Sequence, residues 1–285
     1  MIEISKMSFS YAGSKTPVFS NFSLSVGAGR VCGLLGKNGT GKTTLLYLMA
    51  GLLRPRQGSV TMGGVETARR RVETLREMFL VPEEFYLPDI SLDAYVRANA
   101  PFYPRFSREV LDSCLADFGL EGRLRLGSLS MGQKKKAYMS FALAAGTRLV
   151  LMDEPTNGLD IPSKSTFRRV VARCMTDDRT LVISTHQVHD VESLLDHLVI
   201  ISTSGLLLDA SAADVCARYS FGLRQPGEPQ YGVVYSEPTP QGDAVIARRS
   251  GGDPETQPNL ELLFNAIAGG RIGREDFSGG KEARP

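Results

Sequence analysis

The 285-residue sequence has no apolar run long enough to cross a bilayer, no closely spaced cysteines and almost no net charge. Its longest apolar stretches, HLVII at 197–201 and LVLM at 149–152, stop after a few residues, whereas a spanning helix needs about 20. The chain is therefore not expected to cross a membrane by itself. Cys32, Cys114, Cys174 and Cys216 are widely separated and form no C-x-x-C pair, which argues against a zinc site or a disulfide framework and predicts buried or half-buried free thiols. A net charge of +2 makes no case for an extended nucleic-acid surface. The opening residues, MIEISKMSFSYAG, carry an acid at Glu3 and lack the basic-then-apolar layout of a signal peptide, so a cytosolic chain is expected.

What is present is globular in balance. Hydrophobic residues make up 42% and charged residues 22%, and with a mean hydropathy of −0.10 disorder is not the default. A single core grows to roughly 200 to 250 residues before it splits, so one main domain with an appendage is expected. Short β-rich runs recur at 2–9, 31–36, 148–153, 180–185 and 197–202, with helix-compatible segments between several of them. This is the pattern of an α/β fold with a mostly parallel sheet. VCGLLG, RLVLMD and TLVIST are almost continuously apolar and read as central strands buried on both faces.

Composition shifts after about residue 220, where seven of the 15 prolines fall in the last 65 residues. The shift predicts a domain over 1–220 and a small extension over 221–285. Within the extension, strands over 230–237 and 243–250 and a helix over 259–268 are expected. The final segment from 269 lacks apolar periodicity and is expected to fray.

Residues 36–44 read GKNGTGKTT, matching G-x-x-x-x-G-K-[ST] at Gly36, Gly41, Lys42 and Thr43. The motif follows an apolar strand and opens a helix, the context in which backbone N–H groups and a helix N-terminus converge on a polyphosphate. Gly36, Lys37, Asn38, Gly39, Thr40, Gly41, Lys42, Thr43 and Thr44 are the candidate nucleotide-binding residues. Lys42 would reach the β and γ phosphates, and the Thr43 hydroxyl would ligate Mg²⁺.

RLVLMDEPTNGLD places Asp153 and Glu154 at the carboxyl end of an apolar strand, the edge at which open α/β sheets bind ligands. Asp153 suits the Mg²⁺ shell, and Glu154 suits polarising a water for in-line attack on the γ phosphate. His186 follows another apolar strand and is placed to hydrogen-bond the γ phosphate. The catalytic candidates are Glu154, His186 and Lys42. His189 and His197 read as solvated or structural.

Together with LSMGQ at 129–133, which is similar to the LSGGQ signature, these residues resemble the nucleotide-binding domain of ABC transporters over roughly 1–215. The motif order is the family's: Tyr11, P-loop, Q-loop region, signature, Asp-Glu strand, NGLD at 157–160, and His186. The resemblance implies an ATP- and Mg²⁺-dependent ATPase that works as a head-to-tail homodimer or heterodimer. Ser130, Met131, Gly132 and Gln133 would then face the partner's ATP, and the 130–133 segment itself reads as a second helix N-terminus able to meet a phosphate. Tyr11 would stack on adenine, and Asp160 would lie at the dimer seam, although as a residue it also reads as a helix cap with Pro162 in the first turn. A helical subdomain over about 88–145 would receive transmembrane permease subunits, with Phe85, Tyr86, Phe102 and Tyr103 as candidate contacts.

Two positions depart from the family pattern. Glu83, or Glu84 if the alignment shifts by one, stands at the Q-loop glutamine and would add a negative charge to the metal contact. Met131 replaces a signature glycine. Lys134, Lys135 and Lys136 read as a solvated helix face. The resemblance further implies export, with the chain peripheral on the inner face of the cell membrane. A soluble ABC ATPase acting on nucleic acid or ribosomes is the alternative; no nucleic acid is expected, because the chain has one P-loop, no long heptad run and near-neutral charge. A purely regulatory module fits Asp153, Glu154 and His186 less well, and a small-molecule kinase leaves LSMGQ and NGLD unexplained.

Overall fold

Ile2, Ile4, Met7 and Phe9 point inward from β1 (Ile2–Phe9), and Phe19, Phe22, Leu24 and Val26 do so from β2 (Phe19–Val26). A near period of two of this kind builds a half-buried antiparallel pair. β3 (Val31–Leu35) is buried at every position and belongs to a different sheet. After α1 (Lys42–Met49), β4 (Gln57–Met62) and β5 (Val65–Glu66) return to the first sheet, which is antiparallel in the order β2-β1-β4-β5. This computed structural model describes residues 1–280 except 121, 204, 226, 230, 251–253 and 255.

The one-turn α2 (Val72–Leu75) leads into β6 (Met78–Val81). Three helices follow before the next strand: α3 (Leu92–Asn99), α4 (Arg108–Asp117) and α5 (Met131–Ala144). Each starts on a serine, Ser91, Ser107 or Ser130, whose hydroxyl accepts a backbone N–H of the first turn. β7 (Leu149–Asp153), α6 (Ile161–Cys174), β8 (Thr180–Thr185), β9 (His197–Ser202) and β10 (Gly205–Ser211) complete the core. The central sheet runs β10-β9-β3-β8-β7-β6 and is parallel except for β10.

Both faces of that sheet are covered, so its inner strands β9, β3, β8 and β7 are almost wholly buried rather than alternating. Val31, Leu35, Val150, Met152, Leu181 and Ile183 face one hydrophobic cluster with α4, α5 and α6. Cys32, Leu34, Leu149, Leu151 and Val182 face the other, with α1 and the antiparallel sheet. Fully burying each Leu, Val or Ile contributes about 1.5–3 kcal/mol, which ties the two sheets and the helices into one structure.

The chain ends in α7 (Ala212–Arg218), β11 (Tyr219–Arg224), β12 (Val233–Thr239), β13 (Gly242–Arg248) and α8 (Leu260–Ala268). The strands form a three-stranded antiparallel sheet in the order β11-β13-β12. The expected fold class, a mostly parallel α/β core with antiparallel N-terminal strands and a small α+β appendage, is the one observed. β11 was not among the expected strands. The fraying expected from 269 does not hold at its start: Ile272 is buried, and Phe277 packs against Tyr219 with the Arg218 guanidinium 5.4 Å from its ring centre. Two isolated apolar side chains make these contacts, so no periodicity announces them. Residues 281–285 of that segment lie outside the described residues. Among the described residues, no helix is long and apolar enough to cross a membrane.

Candidate nucleotide site

The parallel register decides what meets at the site. Leu35 of β3 pairs with Thr185 of β8, and Asp153 of β7 pairs with Ser184. The carboxyl ends of three neighbouring strands are therefore level, and Gly36, Glu154 and His186 emerge on one edge. Gly36 and Gly41 make the loop between β3 and α1 possible. A Cβ on Gly36 would lie 2.6 Å from Thr40 Oγ1 and 2.8 Å from the Ile201 carbonyl oxygen, and Gly41, which caps α1, has φ +97°. The Thr40 hydroxyl donates to the Lys37 carbonyl at 2.9 Å. Lys37, Asn38 and Gly39 are exposed at the tip, while Thr40 and Thr44 are buried.

Lys42 is buried and its Nζ folds back to donate to the carbonyls of Gly36 (2.8 Å) and Lys37 (3.3 Å), 4.0 Å from Glu154 Oε1. Burial lowers its pKa, while Glu154, Asp153 and Glu83 oppose that shift. The Thr43 hydroxyl donates to Asp153 Oδ2 at 2.6 Å. Burial raises the pKa of Asp153, partly countered by the Thr43 hydrogen bond. Its Oδ1 is buried and makes no hydrogen bond. A hydroxyl and an under-satisfied carboxylate at the mouth of a phosphate loop are hard oxygen donors that suit Mg²⁺.

Glu154 has φ +45°, a left-handed backbone rare for a side chain of its kind. Its Oε1 accepts the His186 backbone N–H at 3.0 Å and lies 2.7 Å from His186 Nδ1, while its Oε2 accepts the Thr185 hydroxyl at 3.0 Å. The carboxylate is thus held by β8 and by His186, the histidine expected at the same edge as a γ-phosphate contact. Tyr11 stands at the loop's flank: its hydroxyl is 3.0 Å from Thr44 Oγ1, its ring sits edge-on to Phe9, and it is 45% exposed, leaving ring surface for a ligand.

Glu83 is not joined to the Thr43–Asp153 pair. Its Oε1 accepts from Asn157 Nδ2 at 2.8 Å, although its charge is felt at Asp153 and Lys42. Ser130 and Gln133 form a reciprocal capping box, with Ser130 Oγ accepting from Gln133 N at 3.3 Å and Gln133 Oε1 accepting from Ser130 N at 3.0 Å. Met131 points outward, 65% exposed, and Gly132 lies close to the Gly158 carbonyl. No hydrogen bond joins this segment to the P-loop of the same chain among the described residues. Asp160 caps α6 by accepting Ser163 N at 3.0 Å; that bond lowers its pKa, and the neighbouring Ile161 is exposed. Of the aromatic candidates, Tyr86 and Phe102 are exposed, whereas Phe85 and Tyr103 pack against Tyr138 and Phe79.

The solvated reading of the lysine run fails at Lys135. That residue is 5% exposed, and its Nζ donates to the carbonyls of Glu154 and Asn157, both at 2.9 Å. Lys135, Met139 and Ala142 lie at i, i+4 and i+7 on the buried face of α5. That spacing was the available signal. The second residue missed is Phe264 of α8, which lines a cavity of about 220 Å³ with Gly36, Lys37, Asn38, Thr185, His186 and Val188.

A Walker-type phosphate loop opening α1, with a carboxylate pair and a histidine on the adjoining strand ends of a mostly parallel sheet, defines a P-loop nucleotide hydrolase. Comparison with known proteins narrows the class. A family model described as ABC transporter matches residues 19–157. The chain is 31% identical over 195 residues to the ABC transporter ATP-binding protein NatA of Bacillus subtilis (strain 168), covering 65% of this chain and 78% of that one. It is 28% identical over 227 residues to the taurine import ATP-binding protein TauB of Pseudomonas putida, covering 78% and 86%. A solved structure described as the ATP-binding subunit of an ABC transporter superposes with a TM-score of 0.68 at 25% identity, covering 75% of this chain and 91% of that one. The chain belongs to the ABC transporter ATP-binding proteins, and it is an ATPase of that family.

Proposed function

We propose that this subunit binds MgATP between its P-loop and the signature segment of a second ATPase subunit, and hydrolyses it to drive separately encoded membrane permease subunits. The observation that carries the reading is the meeting of Thr43 with Asp153, and of Lys42 and His186 with Glu154, at one strand edge. Lys42 exchanges its loop carbonyls for the β and γ phosphates, and Thr43 and Asp153 hold the metal. When bound there, Mg²⁺ would supply neutralisation of the phosphate charge. Glu154 takes the proton of the attacking water, and His186, hydrogen-bonded to it, orients the γ phosphate. Tyr11 stacks on adenine.

The dimeric arrangement is supported by the capped N-terminus of α5, which exposes Ser130, Met131 and Gln133 and makes no hydrogen bond to its own P-loop among the described residues. Within the chain we take 1–220 as the ATPase domain, with a helical part over about 88–145 that meets the permease, and 221–285 as an extension. Its place is the inner membrane face. We take the direction as export from the resemblance of a single cassette with a short extension to exporter subunits; accumulation of cargo in right-side-out rather than inside-out vesicles would reverse it.

The decisive experiment is Glu154→Gln. The variant should bind ATP, dimerise in its presence and hydrolyse at least about a hundredfold more slowly, as expected when a general base is lost. Unchanged phosphate release would place the base elsewhere.

A further inference from the structure

Two of the four cysteines, 60 residues apart in sequence, face each other away from the nucleotide site. Cys114 of α4 and Cys174, the last residue of α6, have their sulfurs 3.8 Å apart as free thiols. Their surroundings differ. Cys114 is fully buried, whereas Cys174 is half-buried and within reach of solvent. The Arg173 guanidinium lies 3.9 Å from Cys114 Sγ, and Arg179 donates to the Cys174 carbonyl at 2.9 Å. These cations offset the partial negative charge of the α6 C-terminus. Asp117, paired with Arg169 and Arg173, is the acid on the same side. The contact with Cys114 and the nearby Arg179 and Arg173 cations lower the pKa of Cys174, and the pKa of Cys114 moves up. Cys174, the thiol that solvent can reach, is placed as the nucleophile, and buried Cys114 as its resolving partner.

We propose that Cys114 and Cys174 form a hydroperoxide-reactive dithiol that closes to an intramolecular disulfide. The Cys174 thiolate attacks one oxygen of hydrogen peroxide; the S–O bond forms as the O–O bond breaks, and the departing hydroxide takes a proton to leave as water. The Cys114 sulfur then attacks the Cys174 sulfenic acid. The S–S bond forms, the S–O bond breaks, and the leaving hydroxide combines with the Cys114 proton as a second water. Two thiols lose two electrons and one peroxide becomes two waters. The product staples α4 to the end of α6 and encloses the stretch that carries both Ser130 and Glu154.

The test uses the full chain, reduced and freed of reductant, then treated with hydrogen peroxide. Thiols counted after denaturation should fall from four to two, with a single Cys114–Cys174 cross-linked peptide by mass spectrometry. Cys174 should react at least about tenfold faster than buried Cys32. In Cys114→Ser the reaction should stop at a Cys174 sulfenic acid that dimedone captures. Retention of four thiols, a disulfide to any other cysteine, or a Cys174 that dimedone fails to label in Cys114→Ser would each overturn the proposal. The wild-type measurement stands alone should the serine variant fail to fold.

Discussion

Replacing Lys135 by Met keeps most of the buried stem and removes the ammonium that joins α5 to the turn after β7. The Asn157 carbonyl loses its side-chain donor, and the Glu154 carbonyl keeps only the 3.2 Å bond from Asn157 N. A buried acceptor left short of a donor costs about 1–3 kcal/mol. Burial already disfavours the charged lysine, so removing it returns part of that cost, and the net loss should be about 2 kcal/mol. The loss falls on the segment in which Glu154 holds φ +45°, a conformation that costs of order 1–3 kcal/mol and persists only while neighbours enforce it. If the same ~2 kcal/mol is withdrawn from the placement of the carboxylate, kcat should fall about 30-fold. Steady-state phosphate release, paired with thermal unfolding of the apo protein, measures both parts. The KM for ATP should change much less than kcat, and Lys135→Arg, which keeps charge and donors, should recover part of the turnover. A Met variant with parental kcat and parental Tm would refute the clamp.

Asp153→Asn should stabilise the apo protein at neutral pH while abolishing Mg²⁺-dependent hydrolysis. Because burial raises the folded-state pKa of Asp153, its charged form weakens the fold as pH rises from the ordinary aspartate value through the raised one; a flat difference in Tm between variant and parent across that window would contradict this. Glu83→Gln retains an acceptor for Asn157 but removes a charge felt at Asp153 and Lys42. Its Mg²⁺ titration of ATPase activity should shift, and superimposable curves would rule out a metal-adjacent role. Gly36→Ala sets a Cβ within 2.8 Å of the rigid Ile201 carbonyl, so ATP binding and Tm should both drop, as calorimetry and melting curves would report.

The parts of this molecule legible from sequence are those whose physics is local. A phosphate loop needs glycines at fixed offsets, and strands buried on both faces show as unbroken apolar runs, so VCGLLG, RLVLMD and TLVIST reveal the sheet and its functional edge. The expected helix over 259–268 and the strand pair before it likewise follow from periodicity. Lys135 is hidden because a lysine in a run of three has the composition of a solvated face, and only the carbonyls of Glu154 and Asn157, distant in sequence, make its burial tolerable. β11 follows α7 directly and has only two buried apolar anchors, Tyr219 and Phe221, too few to announce a strand. The approach of Cys114 to Cys174 depends on how α4 packs against α6, which no spacing encodes.

Phe264 brings the C-terminal segment to the edge of the nucleotide site. α8 is gripped on one side by the core through Leu263 and Ile267, at its start by Glu192 Oε1 on Leu260 N, and on β12 by Asn265 donating to Glu237. Its Phe264 shares a cavity wall with Lys37, Asn38 and His186. The strand edge that holds His186 is therefore walled on one side by residues from beyond the ATPase core, so the shape of that wall belongs to the C-terminal segment as much as to the phosphate loop.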